Sequence, residues 1–535
     1  MQNVKQETGQ EPEQKYILAL DNGTQSVRAL LFDLNGQLVS KSQVVIEPYF
    51  SDQPGWAEQD ADYYWSSLCQ ACQELWPLLG VPKSKIAAVS LSCQRGTVVN
   101  LDRQGKPLRP AITWLDQRME DDLPDMGAWD LLFAAVGQRS AVRHFQAQAE
   151  ANWISRRQPE IWANTHKYLL LSGFHSFRLT GCYVDSVASQ VGYLPFDYKR
   201  QQWASDRDWR WKALPVKREM LPDLVKPGEA LGVISEQAAK VTGIPAGLPL
   251  ISAGSDKACE VLGAGCLKAN MGSLSYGTTA TYNVTSERYI QVSPPLPPYP
   301  AGLPDAYNAE VMIQRGYWMV SWFKKEFGQR EQRLADEQGI APEVLFDELL
   351  KAVPPGSMGL VLQPYWSPGV SKPGPEAKGA IIGFGDVHTR AHIYRAIIEG
   401  LAYALRAGKE SVEKRTGTPI DTLRVSGGGS QSDQAMQITA DVFGIPAERI
   451  HTHEASGLGA AINAAVGVGL YASYEEAVEH MVHQGERFLP NGANQATYNQ
   501  LFSEVYQKMY GRLSPIYRSI REITRYPKSA QDVSA

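Results

Sequence analysis

Apolar runs separated by turn residues begin at Tyr16. YILAL (16–20) is continuously apolar, DNGTQS is a turn, and VRALLFD (27–33) is apolar again. Asn35-Gly36 makes a second turn, and QLVSKSQVVIE (37–47) alternates, so the opening predicts a three-stranded antiparallel meander. Residues 60–79 have helical spacing and IAAVSLSC (86–93) predicts a buried strand; the mixture that follows puts the chain in the α/β class. A junction falls at 245–264, where LPLISAG runs into Ser255-Asp256. Beyond Lys268 a second apolar–turn–apolar unit, MGSLSYGTTATYNV (271–284), repeats the grammar of the first: Asp21-Asn22-Gly23-Thr24 against Ser275-Tyr276-Gly277-Thr278. Two such hairpins about 250 residues apart point to a duplicated domain pair.

The last third is more regular. HIYRAIIEGLAYALRAGKESVEK (392–414) predicts a helix, DTLRVSGGGSQS (421–432) a strand meeting three glycines, and QAMQITADVFG a helix closed by Gly444. Ile445-Pro446 starts the next strand, and 454–472 is a helix of small residues. SPPLPPYPAGLPD (293–305) reads as a connector, and the long loop at 364–379 as functional or mobile.

Composition narrows the class. Of 535 residues, 43% are hydrophobic and 20% charged, as in ordinary globular proteins. Fifty-two basic against 57 acidic residues give a net charge of −5, without the basic bias of a nucleic-acid or anionic-membrane binder. Six cysteines cannot form a disulfide framework, the polar, Gln/Glu-rich 1–15 is expected to be a disordered tail and not a signal peptide, and 457–472 is too short and too small-sided to span a bilayer. A cytoplasmic enzyme is the expectation.

Asp21 ends an apolar strand ahead of a glycine turn and hydroxyls. It is either a carboxylate capping its own turn or part of a phosphate site, in which backbone N–H groups cradle anionic oxygens and Thr24, Gln25 and Arg28 add donors; Asp21 would then hold hydrated Mg2+. No G-x-x-x-x-G-K-[ST] is present, so a P-loop is excluded, and Gly427-Gly428-Gly429 does not continue as G-x-G-x-x-G. Those glycines form a flexible loop or, with the small-residue helix at 457–472, a slot for a nucleobase.

From about 16 to 525 the chain resembles the FGGY family of carbohydrate kinases. The resemblance rests on LALDNGTQSVRALLFD, PGWAEQDADYYW (54–65), ITWLDQR (112–118), ISAGSDKACEVLGAG, SLSYGTTA, GFGDVHTRAHIYRAIIEGLAYALR, VSGGGSQS and EASGLGAAINAAVGVG, in family order. It implies two actin-like, ribonuclease-H-like ATPase domains with an interdomain cleft: 16–255 for the sugar and 256–525 for catalysis and nucleotide, with a tail at 526–535. It further implies ATP and Mg2+ as cofactors and Asp256 as catalytic base. Thr24, Gln25, Arg28 and Thr278 would meet the phosphates, Gly316 would lie along the nucleotide, and Gly428 and Ser432 would flank the adenine. Val320 stands where most members carry a polar side chain.

On the sugar side the pattern departs. Glycerol kinases carry Arg-Glu where this chain has Arg95-Gly96, and the Met-His pair of xylulose kinases is absent. Gln94, Arg95, Trp114, Asp116 and Phe145, with Asp256, are expected around the substrate, and Arg118 lines or buttresses the pocket. A pentulose such as xylulose or ribulose is the expected acceptor, with glycerol or an autoinducer-2-type compound as alternatives. A sugar-independent actin-like ATPase or sensor is the rival class. The resemblance also implies a dimer or a tetramer, and a homodimer is the expectation. Cys69 and Cys72 (CQAC) fit a core-facing helix stripe, His451 and His453 a solvated strand end, and 324–333 a solvated helix face.

Overall fold

The computed structural model of the chain describes residues 14–292, 296–367, 369 and 373–526. Most of the predicted N-terminal tail, most of the C-terminal tail, and parts of the two long loops lie outside these residues. The first half contains β1 (Tyr16–Asn22), β2 (Ser26–Asp33), β3 (Leu38–Val45), α1 (Ala61–Leu75), β4 (Ile86–Cys93), α2 (Glu150–Arg157), β5 (Ala230–Val233), β6 (Pro249–Ser255) and α3 (Asp256–Gly263). Its six strands form one sheet in the order β5-β6-β4-β1-β2-β3, with β1, β4 and β6 parallel and the flanking strands antiparallel. β1 is buried along its whole length, as its unbroken apolar run requires.

The second half contains β7 (Met271–Tyr276), β8 (Ala280–Ser286), β9 (Tyr299–Pro300), β10 (Tyr307–Ile313), α4 (Arg390–Thr416), β11 (Thr422–Ser426), α5 (Asp433–Phe443), β12 (Ala447–Ile450), α6 (Ala455–Gly467) and β13 (Gln484–Phe488). Its sheet runs β9-β10-β8-β7-β11-β12-β13. Read from the other edge, β13-β12-β11-β7-β8-β10 repeats β5-β6-β4-β1-β2-β3 strand for strand, with the same parallel and antiparallel senses. Each sheet is thus a copy of one unit. The helix after the third parallel strand of each sheet, α3 after β6 and α6 after β12, meets its counterpart between the two sheets.

That meeting explains the small residues. A Cβ on Gly459 would overlap the Cys259 carbonyl, and one on Gly263 the Ala455 carbonyl, so glycine lets the two helix backbones touch. Gly457 likewise makes room for Leu30, and α6 buries its alanines against Ile17, Ala19, Ala88, Ile251 and Ala253 of the first sheet. The expected nucleobase slot beside 457–472 is therefore corrected: these residues are small for packing between the two units. Boundaries shift for physical reasons too. α1 gives way to a 3-10 turn at Trp76–Leu78, where Pro77 removes a donor, and α6 stops before Gly469, whose φ of +73° ends it.

A smaller lobe is inserted in the first half. A four-stranded sheet of Glu58–Gln59, Ala111–Ile112, Val98–Leu101 and Lys167–Leu170 supports an aromatic cluster that includes Trp56, Trp153, Trp203 and Trp209. Among the described residues no helix is long and apolar enough to cross a membrane.

Candidate active site

The ends of the parallel strands converge from both units. Asp21 closes β1 with its carboxylate buried: Ser92 Oγ of β4 donates to Oδ1 at 2.8 Å and Arg28 Nη1 of β2 to Oδ2 at 3.2 Å. Burial above all pushes its pKa up to about 6; Arg28 and Ser92 oppose the rise, while Asp256 and Glu454 add to it. Arg28 also lies 3.3 Å from Glu454, which takes Lys41 Nζ at 2.5 Å. Arg28 is therefore held by two carboxylates, and Glu454, just ahead of α6, joins the site although sequence reasoning did not select it. Its signal was its position at the head of the EASGLGAA segment.

Thr24, Gln94 and Trp114 come together. Trp114 Nε1 donates to Thr24 Oγ1 at 3.1 Å, and Thr24 Oγ1 to Gln94 Oε1 at 3.3 Å. Gln94 is buried, whereas Trp114 is 40% exposed, so the amide supports Thr24 while the indole presents a face to solvent. Gln25 is exposed, and its carbonyl is bound by the Ile46 N–H. Arg95 crosses to the other unit, with Nη2 at 3.1 and 3.2 Å from the Glu310 oxygens of β10.

Asp256 stands at the junction. Ser255 caps α3 by accepting the Ala258 N–H, which puts Asp256 in the first turn at the positive end of the helix. Its Oδ1 accepts the Lys257 N–H at 2.8 Å, and Oδ2 has no partner among the described residues. Burial raises its pKa, against the pull of Lys257 and Arg95. The Lys257 ammonium does not pair with Asp256; it reaches Glu260 and Ser275 Oγ, each at 2.7 Å, and Ser426 Oγ donates to Glu260 at 2.7 Å.

In the second unit Thr278 is exposed at the β7–β8 turn. Gly316 is a packing position, because a Cβ there would overlap the Ala280 backbone. The three glycines divide their work. Gly427, at φ +82°, lies against the Tyr276 backbone and Gly429 against the Tyr317 ring, whereas Gly428 faces open space. Ser432 caps α5 and donates to Asp347 at 2.5 Å. Val320 is buried in the core.

Other candidates are placed away from these strand ends or inside the scaffold. Asp116 accepts from Arg118 Nε and Nη2 at 2.8 and 2.7 Å and from the Ala57 N–H at 2.6 Å; Arg118 reaches Glu58 at 2.8 Å, Glu58 pairs with Arg109, and Trp56 and Trp153 flank the Arg118 guanidinium. This buried network occupies the Asp116 carboxylate. Phe145 packs edge-on against Tyr193 and Trp209. Cys69 and Cys72 are buried in α1, the Cys69 thiol pushed up to about 11 by burial. His451 corrects the solvated-end expectation: its Nε2 meets the Gly36 carbonyl at 3.0 Å, beside His483 on the Asn35 carbonyl at 2.8 Å, so the two rings grip the β2–β3 turn. Glu331 likewise is buried and paired with Arg390 at 2.5 Å, so 324–333 is not solvated throughout. Hollows of about 350 and 330 Å3, beside Asn152 and beside Gly356, contain none of the candidate residues.

Comparison with known proteins gives the same architecture. Residues 16–263 match the family model described as the FGGY family of carbohydrate kinases, N-terminal domain, and 272–468 its C-terminal domain. The chain is 31% identical over 511 residues to the uncharacterized sugar kinase YgcE of Escherichia coli (strain K12), covering 95% of this chain and 96% of that one. It is 28% identical to a xylulose kinase of Lactococcus lactis subsp. lactis (strain IL1403), covering 95% and 99%. The crystal structure of xylulose kinase from Rhodospirillum rubrum superposes with a TM-score of 0.78 at 25% identity, covering 94% of this chain and 100% of that one.

Proposed function

The chain belongs to the FGGY family of carbohydrate kinases and is an ATP-dependent sugar kinase; from that premise we propose that its acceptor is a pentulose such as xylulose or ribulose and that Asp256 is its general base. The observation that carries the base assignment is the Asp256 carboxyl. It is held at the junction of the two units, raised in pKa by burial, and has one oxygen bound to a backbone N–H and the other without a partner. A carboxylate made more basic by its surroundings suits removal of a hydroxyl proton. The pentulose reading draws on the xylulose kinases among the relatives and on Gly96, which stands where glycerol kinases carry glutamate.

In the transfer, the sugar hydroxyl oxygen attacks the γ-phosphorus of ATP. The new O–P bond forms as the bond to the β–γ bridging oxygen breaks, the electron pair leaves with ADP, and the hydroxyl proton passes to Asp256 Oδ2. Little covalent help is needed, so positioning carries most of the burden. Thr24 and Thr278 would donate to the phosphates from the two hairpins, with Gln25 at the edge and Arg28 acting through Asp21. Gly428 would let the nucleotide approach the backbone, next to Gly316 and Ser432. Arg95 and Trp114 would bind sugar hydroxyls, with Gln94, Asp116 and Phe145 holding that wall in place.

Magnesium fits the residues present. Burial raises the Asp21 pKa and the nearby Asp256 and Glu454 carboxylates add to the rise, and a dication would relieve that negative charge. Asp21 would hold the ion through water, and the ion would neutralise phosphate charge. The division at 255/256 would then separate sugar binding from nucleotide binding, in a cytoplasmic homodimer whose size sedimentation checks. The acceptor is tested by ADP release with Mg2+-ATP and a panel of pentuloses, polyols, aldoses and sugar acids. A single strong response to a pentulose is expected. A strong response to glycerol alone overturns the substrate, and sugar-independent hydrolysis overturns the transfer.

A further inference from the structure

Where the sequence lacks the glutamate that follows arginine in glycerol kinases, the fold brings a carboxylate from far along the chain. Arg95 follows β4 in the first unit, and Glu310 lies in β10 of the second, 215 residues away. One guanidinium nitrogen touches both Glu310 oxygens, and the two side chains are 17% and 6% exposed, so the pair is largely removed from water. The Tyr299 ring lies 5.1 Å from the guanidinium carbon, and Tyr198 meets that ring edge-on. Glu310 makes no other side-chain hydrogen bond among the described residues, and neither Arg95 Nε nor Nη1 has a side-chain or backbone partner there.

We propose that Glu310 determines specificity by positioning and neutralising Arg95, so that the sugar pocket accepts uncharged ketoses and polyols and rejects sugar acids. The proposal rests on the reading of Arg95 and Asp256 as pocket residues. The charge balance supports it. Asp256 and Glu310 are both acidic, Arg95 is already paired, and the nearby Lys257 is taken by Glu260. The Arg95–Glu310 and Lys257–Glu260 pairs are each net neutral, so an incoming carboxylate would meet the uncompensated charge of Asp256 and no unpaired cation among these groups, whereas a neutral hydroxyl meets no such repulsion and can accept from Arg95 Nε or Nη1. With Glu310 uncharged, the same guanidinium becomes a forked receptor for a carboxylate. Because the two partners come from different units, the selectivity belongs to the assembled cleft and to neither half alone.

The test uses the full chain with Mg2+-ATP and compares xylulose, ribulose and xylitol with gluconate and xylonate, by ADP release and by protection against thermal unfolding. In Glu310→Gln the acid-to-neutral ratio of kcat/KM should rise at least tenfold, mainly through KM for the acid, with KM for ATP within twofold of wild type. The protection by gluconate should rise in parallel, which reads the effect even without turnover. An unchanged ratio and unchanged protection in the folded variant overturn the proposal. Glu310→Asp keeps the charge on a shorter arm and serves if Glu310→Gln does not fold: it should keep the preference for neutral sugars while their KM rises, and a switch towards acids overturns the proposal. The two readings fail separately. An Asp256→Asn variant that keeps turnover removes the base assignment whatever the Glu310 ratio does, and a flat Glu310 ratio leaves an inactive Asp256→Asn untouched.

Discussion

The two sheets place equivalent residues on equivalent backbones and give them different chemistry. At the end of β1, Asp21 stands in register with Arg28 of β2 and Ser92 of β4; at the end of β7, Ser275 stands in register with Thr281 of β8 and Ser426 of β11. The first unit uses a carboxylate held by an arginine and a serine. The second uses two serines, which receive Lys257 and Glu260 from α3. Beyond the next strand the contrast widens. β4 leads into Gln94-Arg95, whose side chains present donors, whereas β11 leads into three glycines, of which Gly428 offers only backbone. The lesson is that one fold can divide recognition between side chains in one copy and main chain in the other. Hydroxyl patterns demand directed donors, while a flat ring or a phosphate needs close approach.

The comparison breaks most readily where the copies touch. Gly459→Val would drive a side chain into the Cys259 carbonyl, so α3 and α6 must part; a loss of about 3 kcal/mol or more is expected, seen in urea unfolding. A variant of native stability would mean that the two units do not depend on this contact. A crossed pair of variants sharpens the division of labour. Gly428→Val should raise KM for ATP by about tenfold and leave the sugar KM unchanged, whereas Arg95→Met should do the reverse, since each loses on the order of 1.4 kcal/mol of binding to one substrate only. Steady-state kinetics with each substrate varied in turn decides it.

The smallest expected effect lies in the inserted lobe. Glu150 opens α2, and its carboxyl is pushed up to about 8, mainly by burial, with Asp116 adding to the rise. Its folded pKa exceeds its unfolded value, so its contribution is fully present below about 4.5 and is lost as pH rises towards 8. Glu150→Gln removes that dependence. It should match wild type at pH 5 and exceed it in Tm by roughly 1–2 °C at pH 8, a small shift in so long a chain. Thermal melts at the two pH values check the sign.

Much of this was legible along the chain because it is local. The meander, the second hairpin, the buried strand at 86–93 and the helix closed by Gly444 follow from apolar periodicity and turn residues, which act within a few positions. Asp256 was singled out by its motif, and its cap by Ser255 is local too. The partners were not legible. Glu310 meets Arg95 across 215 residues, and Lys41 meets Glu454 across 413, and no periodicity encodes such pairs. Small residues were visible at 457–472, but whether they admit a ligand or another helix depends on what the first unit brings against them. Asp116 shows the same limit: its motif marked it for the pocket, and only the fold reveals that Arg118 and the Ala57 N–H already occupy its oxygens.

The central claim is that Asp256 takes the hydroxyl proton while the rest of the cleft holds both substrates. Asp256→Asn is nearly isosteric and removes only the basic oxygen, so the measurement is ADP release by this variant together with calorimetric ATP binding. The account predicts transfer reduced by about 10²–10⁴-fold with ATP affinity within threefold of wild type. Near-normal turnover would contradict it.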